Sequence, residues 1–211
     1  MSFYLRSFLI AKYENQLDIY VNFNGQLCKK IYSTTSHESE ESEDFGIQKF
    51  LKEVSTKELT KFNPLNLSYA LSMILCENNS RKLSSPLKSS ILIINENFLV
   101  PSSQYVQLMN SLFESQRNGI KINVLDLMDQ DTSNVLLKQS ASITSGYYIN
   151  IKSTSEIIPA LLNFPPELSS SAQAIFNRPK QEIVDFRGSC FCHGKVVELG
   201  YVCSVCLSGK I

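Results

Sequence analysis

Four cysteines near the end of the chain have the residue type and the spacing of a metal site. Cys190 and Cys192 form a C-x-C pair, and Cys203 and Cys206 form a C-x-x-C pair. Four thiolates complete the tetrahedral shell of a zinc ion and leave no position open for a substrate, which makes such a site structural. A segment this short cannot bury an adequate core, so the metal would supply much of its folding free energy. The sequence therefore predicts a zinc module at 183–211.

Other interpretations of these cysteines remain open. The four thiols could be unliganded, or Cys203 and Cys206 could form a redox pair, although their segment is typical of a turn and not of the helix start that such pairs use. His193 could replace Cys192 as a ligand, because imidazole is also a common zinc ligand. Between the two pairs, the stretch VVELGYV at 196–202 predicts a β-hairpin that returns the second pair to the first.

The other two cysteines, Cys28 and Cys76, lie singly in apolar stretches. Secreted disulfide scaffolds spread their cysteines through the chain, whereas clustered pairs indicate metal binding. We therefore predict an intracellular, reducing compartment, with Cys28 and Cys76 as small buried hydrophobic residues.

Composition and charge exclude several classes of protein. The chain is 43% hydrophobic, which is enough for a buried core, and its formal net charge is zero. The chain has no basic run, so its charge pattern does not favour binding to nucleic acid or to an anionic membrane. The longest aliphatic run, Ile91–Ile94, is far shorter than the roughly 20 residues of a membrane span. The first residues lack a cleavage site and are interrupted by Arg6, which argues against a secretory signal.

The sequence contains no catalytic constellation. No phosphate-binding glycine motif follows a predicted strand. The two histidines, His37 in an acidic stretch and His193 among the cysteines, do not support a nucleophile relay. Asp126 and Asp129 follow a predicted strand at the end where α/β proteins bind ligands, although such carboxylates more often cap helices or lie in loops. We predict that the protein is not an enzyme.

The elements that would position these residues alternate in type from residue 90 onward. Strands are predicted at 90–95 (SILIIN, buried on both faces), 120–127 and 147–151, and helices at 101–117, 132–145 and 155–164. Asn118-Gly119 and Gly146 end the first two helices. The first helix carries the apolar residues Tyr105, Leu108, Met109, Leu112 and Phe113. Short links between alternating elements imply right-handed crossovers and a mostly parallel sheet.

The residues before this repeat have a different character. Alternating stretches at 17–23 and 26–32, on either side of Asn24-Gly25, predict a β-hairpin. The stretch STTSHESEESED at 33–44 is too polar for a core and is expected to form a flexible surface loop. Helical spacing follows at 45–54 and 65–77, and in the second helix one apolar face contains Leu67, Ala70, Leu71, Ile74 and Leu75.

Composition divides the chain into three parts. The predicted α/β domain occupies 1–164, a Pro- and Ser-rich linker occupies 165–182, and the zinc module occupies 183–211.

The stretch VDFRGSCFCHGKVVELGYVCSVCLS at 184–208 resembles the C-terminal zinc region of a known family. That family is the smaller von Willebrand factor A-like core subunit of TFIIH, the general transcription and DNA-repair factor. The segments SILIIN, YVQLMNSLFESQRNGIKINVLDL, LLKQSASITSGYYINI and IIPALLNF are similar to the family in order and character. The resemblance thus covers nearly the whole chain.

This resemblance implies a von Willebrand A-like α/β fold with a mostly parallel sheet, no enzymatic activity, and a nuclear location. It implies zinc as the cofactor, with ligands at Cys190, Cys192, Cys203 and Cys206. The implied partners are the larger von Willebrand A-like, RING-like subunit and the other TFIIH core subunits, in RNA polymerase II transcription initiation and nucleotide excision repair. No membrane association and no direct DNA contact are expected.

Two departures from the family's pattern modify these expectations. The chain resembles the family from the first helix onward, so the first strand, which would lie between 17–23 and 90–95, is expected to be missing. The metal site of related A domains follows that strand and is therefore not expected here. The family also continues beyond CSVCLS, whereas this chain ends at SGKI. A gene sequence truncated at both ends, or a reduced lineage, would explain both departures.

A zinc-ribbon protein that binds nucleic acid is the alternative. Residues 178–211 carry five Lys or Arg against three Asp or Glu. Phe191 and Tyr201 could stack on bases, although we expect both to pack around the metal. Ubiquitin ligase activity would need a two-zinc cross-brace, for which four cysteines and one histidine supply too few ligands.

Overall fold

The computed structural model describes residues 16–22, 28–33, 66–82, 88–96, 104–127, 134–162, 164, 184, 186, 201–202 and 209–210. The described elements, in chain order, are β1 (Asp18–Val21), β2 (Lys29–Ser33), α1 (Leu67–Lys82), β3 (Ser90–Asn95), α2 (Tyr105–Arg117), β4 (Lys121–Asp126), α3 (Val135–Ile143), β5 (Tyr148–Asn150), a 3-10 turn (Thr154–Glu156), α4 (Ile157–Leu162), β6 (Tyr201–Val202) and β7 (Gly209–Lys210). The predicted acidic loop, the helix at 45–54 and the whole linker at 165–182 lie outside these residues.

The described elements belong to two compact units. The first contains β1, β2, α1, the 3-10 turn and α4, and the second contains β3 to β5 with α2 and α3, together with β6 and β7. Among the described helices, none is long and apolar enough to cross a membrane.

In the first unit, β1 and β2 form the predicted antiparallel hairpin. The register shifts between Ile19 and Tyr20, which marks a β-bulge. Helix α1 begins after Asn66, whose Oδ1 accepts hydrogen bonds from the backbone N–H of Tyr69 (2.9 Å) and the hydroxyl of Ser68 (2.7 Å). This arrangement is an N-cap, since it satisfies backbone donors that the first helical turn leaves unpaired. The inward face contains Ala70, Leu71 and Leu75, as the spacing predicts.

In the second unit, three parallel strands lie in the order β3-β4-β5. Asn95, Asp126 and Asn150, the last residues of these strands, are register partners. Two consecutive right-handed crossovers would place both connecting helices on one face of the sheet. Helices α2 and α3 do pack against each other and against β4. The predicted alternation of parallel strands and helices is confirmed for this unit.

Burial in this sheet is centred on β4. The side chains of Ile122, Val124 and Leu125 are fully buried. Strand β3 differs from the prediction, because its central residues are half-buried and Ile94 is 42% exposed. The described helices α2 and α3 pack against β4, and a strand is buried on a face only where a packed element covers that face.

The turn between α3 and β5 depends on a glycine. A Cβ atom at Gly146 would lie 1.9 Å from the carbonyl oxygen of Ile122, so only glycine fits this close approach to β4. Next to it, Thr144 Oγ1 accepts a hydrogen bond from the backbone N–H of Ile122 (3.0 Å). On the other side, Asn123 Oδ1 accepts one from the backbone N–H of Tyr147 (3.0 Å). The turn is therefore held against β4 by a side-chain-to-backbone hydrogen bond on each side of the glycine.

Candidate functional site

The predicted zinc ligands Cys190, Cys192, Cys203 and Cys206, and the alternative ligand His193, lie outside the described residues. The zinc site accordingly stays a prediction. Within the part of the chain that the structure describes, no group of three or more His, Cys, Asp or Glu side chains could hold a metal ion.

Two short strands lie on either side of the second cysteine pair in the sequence. Tyr201 of β6 pairs with Lys210 of β7, and Val202 pairs with Gly209, in an antiparallel arrangement. The rest of the hairpin predicted at 196–202 is outside the described residues. Tyr201 is 83% exposed, so the prediction that it packs around the metal is wrong. The described strand pair is two residues long, and a pair this short covers little of a large side chain.

The two isolated cysteines differ from each other. Cys28 is buried, and burial raises the pKa of its thiol. Cys76 is exposed on α1, so its prediction as a buried residue is wrong. The reason is helical geometry: Leu75 points inward, and the next residue projects about 100° further round the axis.

A buried polar cluster occupies the carboxyl end of the parallel sheet. It consists of Asn95 on β3, Asp126 on β4 and Tyr148 on β5. Asn95 Nδ2 donates to Asp126 Oδ1 at 2.9 Å, and the Tyr148 hydroxyl donates to Asp126 Oδ2 at 2.7 Å. Asp126 has no exposed surface, and Lys138 Nζ lies 5.3 Å from the centroid of the Tyr148 ring. The two carboxylate oxygens therefore each have a donor from a neighbouring strand.

This geometry fits a structural role better than a catalytic one. A general acid or base must reach a substrate, whereas both oxygens of Asp126 are buried and engaged within the chain. Backbone hydrogen bonds also join the strands at this end of the sheet. Leu127 N–H donates to Asn95 O (2.8 Å), and Ile151 N–H donates to Asp126 O (2.9 Å). The sequence singled out Asp126 as a strand-end carboxylate but did not reveal Asn95 or Tyr148 as its partners. The second candidate, Asp129, lies outside the described residues.

A second polar cluster joins the hairpin of the first unit to α1. Lys30 Nζ lies 3.0 Å from Asp18 Oδ1 and 2.6 Å from Glu77 Oε1. Arg81 contacts Asp18 and also Glu77, the latter at 2.5 Å across one helical turn. The hydroxyl of Tyr20 donates to Glu77. Two acids and two bases thus form a network whose formal charges balance.

The network shifts the pKa of each carboxyl group. Burial alone would raise the pKa of Asp18, but hydrogen bonds, the largest from Ser33 and Arg81, outweigh it and lower that pKa. Burial also tends to raise the pKa of Glu77, but hydrogen bonds from Lys30 and Tyr20 outweigh burial, so the pKa of Glu77 is lowered. Both acids are therefore held in their charged form, which suits ion pairing and not proton transfer.

Comparison with known proteins assigns the chain to a family. Residues 40–209 match the profile of the family described as "Transcription factor Tfb4". This chain belongs to that family. The matched range includes both cysteine pairs and every described strand and helix from α1 to β6.

Individual relatives agree with this assignment. The chain is 36% identical over 144 residues to "General transcription factor IIH subunit 3" of Dictyostelium discoideum, covering 68% of this chain and 38% of that protein. It is also 36% identical over 144 residues to "General transcription and DNA repair factor IIH subunit tfb4" of Schizosaccharomyces pombe, covering 67% and 46%. The match thus spans less than half the length of each relative.

A solved structure shares the fold. The chain resembles the "TFIIH p34 N-terminal Domain" with a TM-score of 0.64 and 20% sequence identity, over 76% of this chain and 81% of that one. At this level of identity the likeness concerns the fold alone.

Proposed function

We propose that this protein is a non-catalytic core subunit of TFIIH that acts in RNA polymerase II transcription initiation and in nucleotide excision repair. The observation that carries the proposal is the family match over residues 40–209. The names of the relatives in Dictyostelium and fission yeast, which describe subunits of factor IIH, support it. We further propose that the α/β part is a von Willebrand A-like domain and that the protein works in the nucleus.

The described polar clusters support a structural role and not catalysis. The carboxylates of Asp18, Glu77 and Asp126 are each engaged by donors from the same chain. A subunit that positions other proteins needs a rigid framework and does not need a reactive group at its surface. The larger von Willebrand A-like, RING-like subunit is the proposed main partner within the complex.

Zinc is the proposed cofactor of the C-terminal module. Cys190, Cys192, Cys203 and Cys206 supply four thiolates, the donor set of a closed, structural zinc site. The metal would then stabilise the tail and take no part in a reaction.

Affinity purification of the tagged full-length chain from its own cells tests the proposed function. We expect the other TFIIH core subunits to be recovered in near-equal amounts, and depletion of the protein to impair repair of ultraviolet lesions. Recovery of the tagged chain without any TFIIH subunit would contradict the proposal.

One observation favours the nucleic-acid alternative as a second candidate. The ring of Tyr201 is 83% exposed, and exposed aromatic rings can stack on unpaired bases. A fluorescence titration with single-stranded DNA at physiological salt separates the two functions. Tight binding that is lost in Tyr201→Ala would favour the zinc-ribbon alternative, and weak or absent binding would favour the subunit role.

A further inference from the structure

We draw no further inference here: the strongest candidate, the cluster of polar side chains at the carboxyl end of the parallel sheet, belongs to the site already described, in which Asn95 and Tyr148 engage both carboxylate oxygens of the buried Asp126.

Discussion

The hydroxyl of Tyr148, the first residue of β5, donates a hydrogen bond to Oδ2 of Asp126, the last residue of β4, at 2.7 Å. Asn95 makes the equivalent bond from the third strand to Oδ1. Parallel strands that share a buried hydrogen-bonded centre cannot slide past one another without leaving polar groups unpaired. Asp126 is therefore the residue on which the register at this end of the sheet depends.

Replacement of Asp126 should destabilise the chain strongly. Asp126→Ala removes the acceptor for both Asn95 and Tyr148 in a buried site, and we expect a loss of about 3 kcal/mol in the free energy of unfolding. Tyr148→Phe removes one bond and should cost about 1–2 kcal/mol. Urea denaturation measures both, with the exposed Glu96→Ala as a control that should change little. Equal stability of Asp126→Ala and Glu96→Ala would refute this role.

Substitutions at two glycines compare the stability cost of a steric clash with the stability cost of backbone strain. Gly146→Ala would force a methyl group into the Ile122 carbonyl and should destabilise the chain by about 3 kcal/mol. Gly119 has φ +68° with nothing within 4 Å of an added Cβ, so Gly119→Ala meets backbone strain alone and should cost about 1 kcal/mol. Thermal melting ranks the two variants. The reverse order would show that the turn after α3 moves away from β4.

The ion-pair network should make stability depend on pH in the acid range. The pKa values of Asp18 and Glu77 are lower in the folded chain, so the network contributes fully above their ordinary values of 3.8 and 4.5. As the pH falls below these values the unfolded chain binds protons first, and the contribution is lost. Glu77→Gln should cost about 1 kcal/mol at pH 7 and progressively less below pH ~4. Urea denaturation across this range measures the effect, and a difference from wild type that does not change with pH would contradict it.

The proposed zinc site predicts one bound zinc ion per chain. Elemental analysis of the purified chain should find one zinc ion, and Cys203→Ser should release it, because a structural site needs all four ligands. Cys28→Ser, at a buried cysteine outside the cluster, is the matched control and should retain the metal. Full zinc occupancy in Cys203→Ser would remove that residue from the ligand set. The same experiment with His193→Ala and Cys192→Ser decides between these two ligands.

Much of the local structure follows from the sequence alone. The strand SILIIN is observed at Ser90–Asn95 as predicted, and α2 ends at Arg117, just before Asn118-Gly119. These features depend on neighbours along the chain: aliphatic runs favour strands, and a glycine with positive φ ends a helix. The resemblance of the C-terminal stretch to the TFIIH subunit also came from sequence, and the family match confirms it.

Other features depend on which segments meet in space. Arg81 is 63 residues from Asp18 in the chain, and no pattern in the sequence indicates that α1 packs its charged residues against the hairpin. Asn95 and Tyr148 become partners of Asp126 only through the parallel register of three strands.

The direction of a side chain is also decided by tertiary structure. Phe113 and Leu112 are adjacent and both apolar, yet Leu112 is buried and Phe113 is exposed. The sequence determined that this segment is a helix with apolar residues, because local spacing and turn residues carry that information. Only packing against β4 and α3 decided which of those residues became core and which became surface, because a helix buries just the side that its neighbours cover.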